Sequence, residues 1–274
     1  MSSPSDIPSE SSSRAVSARR SPDILALLAI AACASALVGL TRQILGQAIA
    51  TRLMAANWFS SSSTLAQMNS PVRLAGACGT LATVALGGVA AMFVRIDKRL
   101  TAGWYFLWVF ACISLMSSGR LLYSAITGTG DWSVVVNSFE SPWVWRIGIA
   151  FMGVFIYRPA LQFAVSSLRD LVQSRELAYR DLWRLTLNTY FIASAVLTTG
   201  AVLDPANTGV VVLAVVAASF GLHLGLLVVP AFISEPVDMS TASSQPIVLN
   251  WMWVLIAAAA MTAFFAGLGR AIHF

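Results

Sequence analysis

ILALLAIAACASALVGLTRQILGQ, residues 24–47, decides the class of fold. Up to Leu40 the stretch holds no charged residue and no proline. A helix crosses the hydrocarbon core of a bilayer with about 18 to 20 such residues. Other stretches repeat the pattern. The chain of 274 residues is 57% hydrophobic and 11% charged, with a mean hydropathy of +0.75. A soluble domain carries roughly a quarter charged residues. In lipid only helices and closed barrels satisfy every backbone group, and no alternating ten-residue strand pattern is present. The expected fold is therefore all-α, a polytopic transmembrane helical bundle of about seven spans (six or seven). The candidate spans are roughly 24–40, 74–94, 103–126, 143–165, 185–203, 209–233 and 248–269.

Residues 1–22 hold nine serines and three prolines, with too few apolar groups to offset the entropy of ordering them. They read as a disordered tail before a single transmembrane domain over 23–274. Arg19-Arg20, the apolar run and Ala34-Ser35-Ala36 have the outline of a signal peptide cleaved after Ala36. The run continues unbroken to Leu40, so it is read as a retained first span.

Basic residues set orientation. With the amino terminus inside, Arg14, Arg19, Arg20, Arg95, Lys98, Arg99, Arg169, Arg175, Arg180 and Arg184 face the cytoplasm. Arg42, Arg52, Arg73 and Arg270 lie opposite, ten against four. Arginines that flank spans are explained by insertion, so no nucleic-acid partner is expected. The single lysine and alanine-rich helices suit a bacterial inner membrane. Cys33, Cys78 and Cys112 are widely spaced inside apolar runs and read as small packing residues.

The segment after the first run, TRQILGQAIATRL at residues 41–53, has a functional rhythm without functional chemistry. Gln43, Gln47 and Thr51 fall on one helical stripe. A zinc helix of HExxH type needs imidazoles at the first two of those positions and a glutamate beside the first. Here Gln43 and Gln47 offer amides, which are poor zinc ligands, and Ile44 cannot take a proton.

LGQAIATRL resembles the LGHALAARL-type continuation of HELGH in the site-2-type intramembrane metalloproteases. VRLAGACGTLATVALGGVAAM (residues 72–92) is similar to the AGPLAN-type helix of that family. FLWVFACISLMSSGRLLYSAITGTGDW (residues 106–132) resembles the third core helix of a bacterial branch, which ends in a GDW-like sequence. The resemblance covers roughly residues 24–136 and implies that Gln43 and Gln47 replace the histidines and Ile44 the glutamate. It also implies that Asp131 matches a third metal ligand, and that this member is a pseudoprotease without metal or cofactor. With two intervening spans, the ends of the first and third helices share a membrane face, so Gln47 and Asp131 could approach. Family members would place that face in the cytoplasm, whereas the arginine count places it outside. The plainer alternative is that QILGQ is the polar end of a span and GDW an ordinary turn with an interfacial tryptophan.

Three ionisable residues fall inside apolar runs: Arg120, Arg158 and His223. Such residues are functional candidates by default. A lone histidine is more often a hydrogen-bonding core residue, and a metal site built from His223, Asp131 and a further oxygen ligand ranks low. His273 lies near the chain end. Arg158 precedes Pro159, which frees a backbone carbonyl. Arg120 and Arg158 could bind an anion or lipid phosphate, although snorkelling to the interface is the plainer reading. Trp104, Trp108, Trp132, Trp143, Trp145, Trp251 and Trp253 lie near span ends, as an aromatic belt would. No P-loop or strand–GxGxxG–helix context supports nucleotide binding.

The leading expectation is a catalytically inactive relative of the site-2-type proteases, acting in the bilayer by binding a membrane-protein partner. The alternatives are a transporter-like or lipid- and anion-handling protein using Arg120, Arg158 and His223, or an accessory subunit of a membrane complex.

Overall fold

The computed structural model describes residues 23–55, 71–129, 131–137, 139–203, 209–234, 247–248 and 250–267. The serine-rich tail 1–22, most of the loops expected at 57–73 and 234–247, and His273 lie outside the described residues. Among the described residues there are nine α-helices and no strand. They are α1 (Ile24–Ala55), α2 (Pro71–Ile96), α3 (Ala102–Met116), α4 (Gly119–Thr127), α5 (Asp131–Asn137), α6 (Pro142–Gln173), α7 (Tyr179–Leu203), α8 (Gly209–Val228) and α9 (Trp251–Gly267). A 3₁₀ turn, Val229–Phe232, closes α8.

Caps fix several starts. Asp23 accepts the Leu25 N–H on its carboxylate at 3.0 Å, and Thr101 accepts the Trp104 N–H at 3.0 Å. Each thereby satisfies one of the orphan donors of a helix start. Pro142 opens α6, where a missing N–H costs nothing. At its far end α6 runs past residue 165, where the apolar pattern stops, to Gln173. It is closed by Arg175 at φ 64°, whose N–H reaches the Val172 carbonyl at 3.2 Å.

Antiparallel neighbours build an up-and-down bundle. The start of α2 meets α1 at Arg42, and the start of α3 meets the end of α2 through Trp104 Nε1 donating to the Val94 carbonyl at 3.3 Å. α1 lies centrally, packed against α2, α3, α7 and α9. One cluster of buried residues joins α1, α2, α3, α6, α7 and α8, with Trp108, Tyr105, Ile30 and Leu168 among its members. A second unites Cys33, Val196 and Phe264 of α1, α7 and α9. Trp104 and Trp108 are core residues, which corrects their assignment to an interfacial belt. Trp108 Nε1 donates to Ser167 Oγ at 2.8 Å, so burial leaves this donor satisfied. Trp132 is also buried, whereas Trp143 and Trp251 are exposed at helix starts.

Four helical stretches among the described residues are long and apolar enough to cross a membrane: Ile24–Gly46, Ala77–Ile96, Ala102–Thr127 and Pro142–Gln173. Two shorter apolar helices are Val216–Phe232 and Trp251–Ala266. α7 is more polar, with Arg180, Asp181 and Arg184 in its opening turns. Phe151, Phe155, Met92 and Leu255 point outward. Apolar surface on this scale fits contact with lipid. Buried hydroxyls return to their own helices, as in Ser35 to the Ala31 carbonyl (2.7 Å) and Thr186 to Leu182 (3.1 Å).

Candidate functional site

TRQILGQ does not stand apart as a separate helix. α1 continues through it to Ala55, beyond the end expected at residue 40, because Arg, Gln, Leu and Ala are all strong helix formers. Gln43 is half-buried on this extension and Ile44 is exposed. Next to Gln43, the Arg42 carbonyl lies so close to Gly79 of α2 that no side chain fits there. Two residues earlier, on roughly the opposite side of α2, Ala77 packs with Leu121, Trp132, Val136 and Ile149. At Ala77–Gly79, α2 is thus wedged between α1 at Arg42, next to the QILGQ stretch, and α5, which begins at Asp131. Asp131 and Trp132 open α5. Arg146 of α6 holds the far end of α5 by donating to Asn137 Oδ1 at 3.1 Å. The side chains of Gln47 and Asp131 lie outside the described ones.

The described side chains at this end do not supply the ligands that a zinc helix of HExxH type needs. Gln43 has an amide, Ile44 has no polar atom, and no group of three His, Cys, Asp or Glu among the described residues is placed to hold a metal.

A second polar centre lies inside the bundle. The third span is interrupted at Ser117-Ser118, between α3 and α4, where Arg120 N–H and Leu121 N–H reach back only three residues, each at 3.0 Å. Gly/Ser pairs are a common cause of such breaks. Gly119 then lies against Leu222 of α8, and Arg120, half-buried, comes within electrostatic reach of His223. His223 is 1% exposed, with Nδ1 2.8 Å from the Ser219 carbonyl. A carbonyl only accepts, so Nδ1 carries the proton and Nε2 is the acceptor of the neutral ring. The Oγ atoms of Ser114, Ser118 and Ser219 are buried without a hydrogen-bond partner among the described residues.

Tyr157 of α6 completes this centre, and the sequence reading missed it. Its hydroxyl donates to the Leu222 carbonyl at 2.9 Å and accepts the Gly225 N–H at 3.2 Å. A tyrosine inside an apolar run beside Arg-Pro was the available signal. Arg158 turns away: it is exposed on the outer face of α6, as is Pro159. The structure therefore sets Arg120 within electrostatic reach of the buried His223 and leaves Arg158 exposed on α6.

No family model, no curated protein and no solved structure matches the chain.

Proposed function

We infer that this chain is an integral membrane protein of about seven crossings that works by binding a membrane partner. In this reading Gln43, Ile44, Gln47 and Asp131 mark the place where site-2-type proteases hold zinc. The observation that carries it is the wedge of α2 between the QILGQ stretch and the start of α5. Such packing is what the resemblance would require of the segments that carry its two motifs. With amides and an isoleucine in place of imidazoles and a carboxylate, the end offers a polar docking face and no hydrolytic chemistry.

Orientation follows the arginines. Arg95, Lys98, Arg99, Arg169, Arg175, Arg180 and Arg184 gather at the end where α1 begins, which favours an amino terminus on the cytoplasmic side of a bacterial inner membrane.

Crosslinking tests the layout. In a chain freed of Cys33, Cys78 and Cys112, Gln47→Cys with Asp131→Cys should be joined in membranes by a short thiol-reactive linker. Lys98→Cys with Asp170→Cys, an ion pair at 3.7 Å, serves as the positive control. Efficient joining of the control pair alone would overturn the reading.

A second reading is favoured by the burial of His223 beside Arg120 at a break in a helix. Interrupted membrane helices with buried ionisable groups form the binding sites of many transporters. This centre would bind an anion or lipid phosphate without Arg158. Arg120→Gln should then abolish anion binding while Arg158→Gln leaves it intact; equal losses would sink the idea.

A further inference from the structure

We propose that a cleft at the cytoplasmic-side end of α2, α3 and α6 binds the headgroup of a zwitterionic phospholipid bearing a primary ammonium group. The cleft is about 250 Å³, lined by Arg95, Asp97, Lys98, Trp104, Ser166 and Asp170 together with apolar neighbours. It lies on a different part of the fold from the Gln43–Asp131 end and does not depend on that reading.

Its depth is that of a headgroup. The apolar stretch of α2 ends at Ile96, that of the third span begins at Ala102, and the apolar pattern of α6 stops at residue 165, just before Ser166 and Asp170. Ile96 and Phe93 beside the cleft are exposed, which places acyl chains next to its mouth. The floor is apolar and already satisfied: Trp104 is buried, gives its N–H to the Val94 carbonyl and stacks on Trp108 at 6.2 Å. Ser166 and Ser167 are spent on the Phe163 carbonyl at 3.1 and 2.8 Å. The groups left to donate to or neutralise a ligand's phosphate are the charged ones, while Ser166 Oγ can still accept a hydrogen bond.

Those charges come as two of each sign. Arg95 is held 6.0 Å above the Phe163 ring, so its guanidinium leans toward α6. Lys98 Nζ lies 3.7 Å from Asp170 Oδ2 across the cleft, both half or more exposed. Asp97 is fixed by accepting the Arg99 N–H at 3.1 Å. A guanidinium and an ammonium meet a phosphodiester well, the former through its planar fork. The two carboxylates repel a purely anionic headgroup but accept hydrogen bonds from a primary ammonium. A quaternary ammonium has no N–H to give them. A soluble phosphoethanolamine ester shares this chemistry; the apolar helix ends at the mouth favour the lipid.

Native mass spectrometry of the delipidated full chain, offered phosphatidylethanolamine, phosphatidylcholine and phosphatidylglycerol at equal concentration, tests the assignment. The wild type should retain phosphatidylethanolamine preferentially. Each basic group near a membrane surface contributes enough that Arg95→Gln with Lys98→Gln should weaken phosphatidylethanolamine binding by about tenfold or more. Asp97→Asn with Asp170→Asn should instead abolish the preference over phosphatidylglycerol. All four side chains are exposed, so the variants should fold. Equal binding of the three lipids by the wild type, or unchanged binding in both double variants, would overturn the proposal. So would soluble glycerophosphoethanolamine binding the wild type as tightly as the lipid does, because the occupant would then not be membrane-derived.

Discussion

The contact between Tyr157 and Gly225 gives the sharpest quantitative test of the interior. Tyr157→Phe removes one oxygen that serves two hydrogen bonds to the backbone of α8. Hydrogen bonds between membrane helices average about 0.6 kcal/mol each and reach about 1.7. The substitution should therefore cost about 1–2 kcal/mol. Gly225→Ala attacks the same contact from the other side. A methyl there would lie 2.7 Å from Tyr157 Oη, with Met116 Cε at 3.3 Å and Leu161 Cδ1 at 3.4 Å. Overpacking of that kind costs about 1–3 kcal/mol. In the Tyr157→Phe background the oxygen is gone and only two flexible side-chain ends remain. Alanine also gains up to about 1 kcal/mol of helix propensity over glycine, so there it should be neutral or stabilising. Unfolding of the four proteins in detergent micelles, followed by circular dichroism, should give a coupling of about 1–3 kcal/mol. Additive effects, within about 0.5 kcal/mol, would refute the inserted hydroxyl.

Three further substitutions probe the fold. Ser167→Ala strands the Trp108 N–H in the core and should destabilise by about 1–3 kcal/mol in the same micelle assay, with Trp108→Phe/Ser167→Ala partly restored. Asp23→Ala removes the cap of α1 and should cost about 1 kcal/mol, while Asp23→Ser should retain most of it. Arg175→Gly relieves a left-handed residue at the end of α6 and should raise the midpoint of thermal unfolding by about 2 °C, whereas Arg175→Val should lower it.

Much of this architecture was legible before any coordinates. The apolar runs locate α1, α2, α6 and the α3–α4 pair because bilayer thickness imposes a length on them. Their ends were not legible, because a helix outlasts its apolar stripe wherever good helix formers follow. TRQILGQAIATRL on α1 and SSLRDLVQ on α6 are both such continuations. Composition also could not say which arginine faces inward. Arg120 and Arg158 both lie in apolar surroundings. What separates them is the packing of Gly119 and Tyr157 against α8, a contact between residues more than sixty positions apart. The same holds for Trp104 and Trp108: their burial depends on partners on α2 and α6 that no local pattern names. The ionisable candidate His223 was visible as a lone histidine in an apolar run and was grouped with Arg120 and Arg158, but the neighbouring Tyr157 was not seen.

The proposed relation to site-2-type proteases is tested most directly at the QILGQ stretch of α1. Gln43→His, Ile44→Glu and Gln47→His together would rewrite that stretch as HELGH, and zinc content measured by elemental analysis reads the outcome directly. The restored triple variant should bind one zinc per chain, lose it on Asp131→Asn, and differ from a wild type that binds none stoichiometrically. If the triple variant holds no more zinc than the wild type, or holds it regardless of Asp131, the family layout proposed for α1, α2 and α5 is wrong.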